Sequence, residues 1–194
     1  MKSACALFIA LALSPAVLAQ DVVEPRSGAK FSAKSGDLTL TGVGLRTKTF
    51  LKVKVYAIAL YVADAALAGP LASYRGKPKT AAFYKDLLAG DFTKELRLLF
   101  LRDLSADQIQ GAFRETLAGA DKAKVEAFVS YFGELKTGQD CVLRYVPGGT
   151  LETLVASAAR LPIADKTFST AVFSIWLGDK PIQDDIKTDL AKQF

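Results

Sequence analysis

Few residues of this sequence could do chemistry, and one of them is Arg46, which lies where two predicted strands meet in an otherwise mostly apolar stretch. A guanidinium is a permanent cation whose planar fork fits a carboxylate or a delocalised oxyanion. Most arginines are exposed, so a solvated side chain at a hairpin end is the alternative. The local sequence therefore leaves two interpretations of Arg46, a solvated arginine or an anion-binding group inside a cleft.

The chain contains no histidine. This excludes histidine as the activator of a nucleophile, as a general acid or base and as a metal ligand. We therefore expect no hydrolase triad, no zinc site and no cofactor. Gly42-Val43-Gly44 begins like a dinucleotide-binding motif, but Leu45-Arg46-Thr47 follows and leads into a strand, so that site is excluded as well.

Two other groups of reactive side chains have simpler explanations. Cys141 lies in a predicted strand, where a buried, inert thiol is favoured over a nucleophile. Asp184 and Asp185 begin a predicted helix, where carboxylates suit the positive end of the helix dipole. We interpret both groups as structural.

The first 19 residues have the pattern of a secretory signal peptide. Lys2 provides a positive start, residues 4–13 are apolar, and Val17-Leu18-Ala19 is a small-residue cleavage site before Gln20. Residues 20–194 are then a single domain, periplasmic or secreted, with no transmembrane segment after signal removal. The hydrophobic share of 51% is enough for a substantial core.

The charge of the chain does not indicate nucleic-acid binding. The formal charge is +5, which becomes +4 once Lys2 is removed with the signal. Basic residues are spread along the chain and mixed with acids, whereas a nucleic-acid site needs a clustered stripe. We expect no nucleic-acid partner.

The stretch from Leu38 to Val62 is predicted to form two consecutive strands that position Arg46. Gly42 and Gly44 allow a bulge, a bend or close approach of a ligand to the backbone. In the second strand, Lys52 and Lys54 alternate with apolar residues before a continuous apolar run. This pattern indicates a strand with one wet face at its beginning and both faces covered further on.

Hydrophobic spacing predicts the remaining elements. A capping box formed by Ser105 and Gln108 indicates a helix start. The segment 150–156 is predicted as a strand but also fits a helix. In chain order, the predictions are an irregular segment over 20–34 with room for one short strand, a loop over 65–78 with at most one helical turn, a helix over 80–88, a strand over 94–101 with an exposed face at its beginning, helices over 105–117 and from 121 to a stop at Gly133, a hairpin over 142–156, and helices over about 165–177 and 181–191.

Three separated runs resemble the bacterial branch of the chalcone isomerase-like family. They are GLRTKTFLKVKVYAIALY at 44–61, LFLRDLS at 99–105 and IWLGDKP at 175–181, and they occur in the order the family shows. The resemblance implies an α+β fold, an open-faced β-sandwich in which a large antiparallel sheet is backed by a layer of helices. It also implies a ligand cleft between sheet and helices.

The resemblance gives Arg46 a role that depends on the branch of the family. In the isomerases, the corresponding arginine steadies negative charge that develops when a phenolate adds across an enone. In fatty-acid-binding members, this arginine and a tyrosine on the following strand hold a carboxylate. The chain has Tyr56 where the isomerases have threonine, so it resembles the binding branch.

Other positions are compared in the same way. Ile109 stands where the isomerases use a helix tyrosine, and Thr116 where they have asparagine. Ser174 matches a late threonine or serine that touches the ligand. Phe113 and Trp176 either wall the cleft or, as their helical spacing favours, pack in the core.

The sequence thus predicts a protein that binds a fatty acid or similar amphipathic carboxylate. The expected ligand contacts are Arg46, Tyr56, Thr116, Ser174 and Phe113. The alternative is an isomerase, an intramolecular lyase acting on a chalcone-like enone, with Arg46 and Ser174 as catalytic residues. Whether the protein is an enzyme and its oligomeric state stay open, and a cleft packed shut around Arg46 would favour a structural or partner-binding role.

Overall fold

The computed structural model describes residues 20–194, and the predicted signal peptide at 1–19 lies outside this part of the chain. The strands are β1 (Asp21–Val23), β2 (Lys30–Ser32), β3 (Lys34–Ser35), β4 (Leu38–Lys48), β5 (Val53–Ala63), β6 (Lys94–Phe100), β7 (Asp140–Val146), β8 (Thr150–Val155), β9 (Ala158–Ala159) and β10 (Ile163–Ala164). The helices are α1 (Asp64–Ala68), α2 (Ala81–Ala89), α3 (Ala106–Thr116), α4 (Lys122–Val129), α5 (Lys166–Leu177) and α6 (Asp184–Asp189), and a 3₁₀ turn spans Ala72–Tyr74.

An eight-stranded antiparallel sheet forms the centre of the fold. Its order is β10-β8-β7-β6-β5-β4-β3, with β9 paired to β8, while β1 and β2 form a separate two-stranded sheet. Consecutive long strands are neighbours in the sheet. Short turns join β4 to β5 and β7 to β8, whereas helical connections join β5 to β6 and β6 to β7. The α+β architecture with one large antiparallel sheet and a helical layer is therefore confirmed.

The two faces of the sheet differ in chemistry. On one face Ile58, Leu60 and Leu98 are almost fully buried against the helices. On the other, the Tyr61 hydroxyl donates to the Ser32 carbonyl of β2 at 2.9 Å. The strand alternation therefore places the main core between the sheet and the helices.

An exposed face was predicted at the beginning of β6, and this was wrong for Glu95, although Arg97 on the same face is partly exposed. Lys94 and Glu95 both have 0% of their surface exposed. Glu95 accepts from Arg144 Nη2 at 2.6 Å and from Arg97 Nη2 at 3.2 Å, and Lys94 donates to the Gly90 carbonyl at 2.8 Å. Glu95 is paired with two arginines and Lys94 is hydrogen-bonded to backbone carbonyls, so both polar side chains can be buried.

Other boundaries differ less. The segment 150–156 is a strand and not a helix. Residues 20–34 contain two strands and the start of β3, and residues 64–74 contain α1 and the 3₁₀ turn. Helix α6 is much shorter than the predicted 181–191. No helix among residues 20–194 combines the length and the apolar character needed to cross a membrane.

Candidate functional site

A cavity of about 180 Å³ opens between the sheet and the helical layer. Strands β4, β5 and β6 form its floor, helices α3 and α5 form its walls, and the segment before α6 closes one side. Its lining residues are Arg46, Lys48, Val55, Tyr56, Leu98, Phe100, Arg102, Leu104, Gln108, Ile109, Ala112, Phe113, Thr116, Ile175, Trp176 and Ile182. The cleft is therefore not packed shut around Arg46.

Arg46 lies on the floor of this cavity, directly opposite Tyr56 in the pairing of β4 with β5. Its side chain is half-buried, and Nη1 donates to the Ile182 carbonyl at 3.3 Å and to Gln183 Oε1 at 3.1 Å. A guanidinium has five N–H donors. Within residues 20–194 only the donors on Nη1 have acceptors, so the donors on Nε and Nη2 are free. No carboxylate of the described chain pairs with it. Arg46 is thus an oriented cation with free donors at an apolar cavity.

Tyr56 presents a neutral donor beside this cation. Its buried hydroxyl accepts a hydrogen bond from the Trp176 indole N–H at 2.9 Å, and no acceptor for its own proton occurs within residues 20–194. Burial raises the pKa of Tyr56 to about 12, while the bond from Trp176 and the charge of Arg46 act in the opposite direction. The hydroxyl therefore stays protonated at neutral pH and can donate to a guest.

Gln183 fixes the position of Arg46, and the sequence analysis missed it. Its Oε1 accepts from the Thr47 backbone N–H at 3.0 Å as well as from Arg46, and its Nε2 donates to the Leu45 carbonyl at 3.0 Å. One amide thus bridges the C-terminal segment to β4. Nothing in its local sequence indicated this, because the contact joins residues 137 positions apart.

The remaining wall of the cavity is mainly apolar. Ile109 is buried, and the ring of Phe113 packs at 5.1 Å from Phe128 and 4.9 Å from Phe132. Phe100 meets Tyr56 edge to face at 5.9 Å. Phe113 and Trp176 therefore serve both proposed purposes, since each lines the cavity while packing in or against the core.

Two further cations lie at the rim. Lys48 and Arg102 are exposed and line the same cavity, whose lining contains no aspartate or glutamate. Within residues 20–194 neither forms an ion pair. The walls and the missing negative charge make the cavity favourable for an anion, because low-dielectric surroundings strengthen the field of nearby cations.

Thr116 and Ser174 lie further from the anion-binding pair. Thr116 lines the cavity at its exposed end, and its hydroxyl donates back to the Ala112 carbonyl at 2.9 Å. Ser174 lines the neighbouring groove between α2 and α5, and its hydroxyl donates to the Thr170 carbonyl at 2.8 Å. The structure thus brings Arg46, Tyr56, Phe113 and Thr116 to one cavity but places Ser174 outside its lining.

This arrangement is suited to holding an anion and poorly suited to moving protons. A carboxylate could accept from the guanidinium and from the Tyr56 hydroxyl while its apolar part contacts the wall. A tyrosine with a pKa of about 12 is a weak acid, and Ile109 offers no polar atom from its side chain. The chemistry of the lining favours binding.

Comparison with known proteins agrees with this fold. The chain is 26% identical to a chalcone–flavanone isomerase of Phaseolus vulgaris over 73% of its own length and 75% of that protein. It is also 26% identical to fatty-acid-binding protein 1 of Arabidopsis thaliana, over 88% of this chain and 69% of that protein. The crystal structure of an Arabidopsis thaliana fatty-acid binding protein superposes with a TM-score of 0.76 at 22% identity, covering 89% of this chain and 96% of the other.

The sequence profile described as chalcone isomerase-like matches residues 19–191, nearly the whole chain. The match includes β4, β5 and the C-terminal segment that together build the cavity. The chain therefore belongs to the chalcone isomerase-like family.

Proposed function

We propose that this protein binds a fatty acid or a similar amphipathic carboxylate, with the carboxylate at Arg46 and Tyr56 and the alkyl chain along the apolar wall. One observation carries the proposal: an arginine without a carboxylate partner in residues 20–194 lies beside a tyrosine whose proton is free, at an apolar cavity. Overall identity does not discriminate, since isomerase and fatty-acid-binding relatives both match at 26%. The side chains of the cavity therefore support the choice.

The energies are adequate for such a ligand. Each charge-assisted hydrogen bond contributes about 1.5–3 kcal/mol, and each buried methylene adds about 0.8 kcal/mol. A ligand with a longer alkyl chain therefore binds more tightly, until the alkyl chain exceeds the length of the apolar wall. A carboxylate without an alkyl chain, such as acetate, has only the polar part of this affinity.

The test is calorimetric titration of delipidated protein with dodecanoic acid. Arg46→Gln should weaken binding by roughly 10- to 150-fold, which corresponds to one charged bond of about 1.5–3 kcal/mol. Arg75→Gln, a change at an exposed arginine outside the cavity, is the matched control and should bind like the wild type. Equal affinity of wild type and Arg46→Gln would reject the proposal.

An isomerase acting on a chalcone-like enone is the second candidate, favoured by the retention of Arg46 and by the isomerase relatives. Arg46 could stabilise an oxyanion that forms on the enone. Against it stand the apolar Ile109 and the position of Ser174 outside the cavity lining. Incubation with chalcones decides the matter, since flavanone formation no faster than the spontaneous rate removes this candidate for those substrates.

We further propose that the protein is exported and works in the periplasm or outside the cell, because residues 1–19 have a signal-peptide pattern. Intact mass of the protein recovered from its host should correspond to a chain beginning at Gln20. A full-length mass and a cytoplasmic fraction would contradict export.

A further inference from the structure

The turn that joins β4 to β5 exposes two large apolar side chains next to each other. Phe50 and Leu51 have 91% and 69% of their surface exposed. The turn is closed by the Lys52 backbone N–H, which donates to the Thr49 carbonyl at 3.0 Å, and both of these residues have positive φ, 51° and 68°. A closed turn therefore presents the apolar pair to solvent at the end of a long hairpin. We call residues 48–54 the hairpin tip.

The hairpin tip is also strongly basic. Lys48, Lys52 and Lys54 are exposed, and the segment from 46 to 55 contains no acidic residue. Apolar residues flanked by lysines form the pattern of segments that lie at membrane interfaces, where the apolar groups enter the acyl boundary and the lysines meet lipid phosphates. A protein partner that bound the Phe50 ring would not require that every charged residue around the ring be a cation.

The hairpin tip lies at the mouth of the cavity. Lys48, the first residue of the tip, and Val55, which directly follows the tip, both line the cavity. Arg46 precedes Phe50 by four residues, which is about 13 Å along an extended strand. A surface touched by the tip is therefore within the length of an acyl chain from the Arg46 guanidinium.

We propose that the hairpin tip docks on a bilayer surface that contains anionic lipid, with Phe50 and Leu51 at the headgroup boundary and Lys48 and Lys52 against the phosphates, since the Lys54 ammonium donates to the Arg26 carbonyl. Docking brings the cavity mouth to the membrane, so an amphipathic acid passes between bilayer and cavity without crossing bulk water. This exchange rests on the proposed function. The docking itself depends only on the tip.

The first test is sedimentation of the purified protein with phosphatidylcholine vesicles that contain either roughly 30% phosphatidylglycerol or none. The wild type should sediment with the anionic vesicles and much less with the neutral ones. Phe50→Ser combined with Leu51→Ser should reduce partitioning at least about tenfold at unchanged charge. Lys52→Gln should reduce it on the order of fivefold, the loss expected for one surface lysine.

Leu161→Ser is the matched control. Leu161 is another exposed apolar residue, 78% exposed, and it lies outside the hairpin tip. Its substitution should leave partitioning unchanged. Equal binding to both vesicle types, unchanged binding of the double serine variant, or an equal loss in Leu161→Ser would overturn the proposal. A tip that instead contacts a protein gives no vesicle binding, which also overturns it.

A second measurement reports insertion directly. Phe50→Trp places an exposed indole at the tip, while the native Trp176 is buried. On anionic vesicles the added emission should shift to the blue and be quenched by brominated acyl chains, and an unshifted spectrum would contradict docking. Titration of the wild type and of the double serine variant with dodecanoic acid in lipid-free buffer separates the proposals. If the wild type does not bind the acid, the proposed function is rejected. If the wild type binds the acid but does not bind the vesicles, only docking is rejected.

Discussion

At the scale of single residues, the floor of the cavity combines one fixed charge with one neutral donor. Arg46 is held from the side by Gln183, and Tyr56 is held by the Trp176 indole. Both bonds leave donors free, and no carboxylate of residues 20–194 is bonded directly to either side chain. Donors oriented before a ligand arrives need little reorganisation when it binds, and the positive charge of Arg46 favours an anion over a neutral alcohol.

The contribution of Tyr56 can be isolated by Tyr56→Phe, which keeps the ring and its contact with Phe100. Loss of the hydroxyl should weaken dodecanoic acid binding by about tenfold, equivalent to about 1.4 kcal/mol, since one hydrogen bond to a charged group is lost. Trp176 loses its acceptor as well, so its fluorescence should change. Calorimetry and emission spectra check both effects, and unaltered affinity would show that the hydroxyl does not touch the carboxylate.

Binding should depend on pH at one end of the range only. Below about pH 4.3 the guest carboxylate becomes neutral, so affinity falls as pH is lowered. Between pH 6 and 10 affinity should be constant, because the pKa of Tyr56 is raised to about 12 by burial and the hydroxyl keeps its proton. A decline in affinity centred near pH 9 in calorimetric titrations would contradict the role given to this donor.

Lys94 supplies a separate pH effect, on stability. Burial lowers the pKa of Lys94 to about 7, and the Lys166 charge adds to this, whereas the unfolded chain has its ordinary value of 10.5. Between these values the unfolded state binds more protons than the folded one, so this residue makes stability rise with pH from 7 to 10.5. In Lys94→Met this rise should disappear, as urea unfolding at pH 7, 8.5 and 10 would show. If the free energy of unfolding rises with pH equally in the wild type and in Lys94→Met, the prediction is wrong.

The sequence contained enough information to single out the cation and its neighbour but not the groups that hold them. Arg46 and Tyr56 stand out because their strands are otherwise apolar and the resemblance marks both positions. Gln183 and the Trp176 bond depend on contacts across 137 and 120 residues, which no local pattern encodes. Ser174 was expected at the ligand, yet the phase of α5 turns it to the groove beside α2.

At the scale of elements, the approach of the C-terminal segment to β4 depends on Gly42. The pairing with β5 shifts between Leu40 and Gly42, where a bulge forms. A Cβ at position 42 would lie 2.5 Å from the carbonyl carbon of Leu190 and 2.6 Å from its oxygen. The sequence left open a bulge, a bend or close approach of a ligand, and the structure has the bulge together with close approach of the protein's own backbone.

Gly42→Ala should therefore destabilise the protein by about 1–3 kcal/mol, because a backbone in contact cannot yield as a flexible side chain can. Gly44→Ala is the matched control, since its Cβ would be 3.5 Å from Ile186, an ordinary contact. Its effect should stay below about 1 kcal/mol. Urea unfolding measures both variants, and equal losses would show that close approach is not the cause.

Elements with strong periodicity were predicted well, and those governed by tertiary contacts were not. The capping box formed by Ser105 and Gln108 is present at the start of α3, and the 142–156 hairpin has both its strands. The pattern of β6 failed because Glu95 is neutralised by arginines that sequence spacing alone does not bring together. The last helix was predicted too long because apolar residues after α6 pack without continuing it.

At the scale of the whole molecule, the cavity lies between the two layers whose packing holds the fold together. A guest inside it contacts sheet and helices at once, and a ligand that binds only the folded state stabilises it. At a dodecanoic acid concentration 100 times the dissociation constant, the gain is about 2.7 kcal/mol. Thermal stability is therefore a reporter of occupancy.

Differential scanning calorimetry should show this as a rise in Tm of about 5–10 °C for the wild type, given about 2–4 °C per kcal/mol for a chain of this size. Arg46→Gln at the same acid concentration should show a much smaller rise. Equal shifts for both proteins would mean that the acid stabilises the fold at a different place. Dodecanol, which lacks the charge, controls for nonspecific apolar contact.

The bridge from Gln183 to Arg46 also bears on when the cavity first exists. The guanidinium emerges early in translation, whereas the amide that orients it follows 137 residues later. At about 5–20 residues per second, that interval lasts roughly 7 to 27 seconds. During this time the growing polypeptide lacks the amide that orients Arg46, so we expect the proposed ligand to bind only after Gln183 has been synthesised.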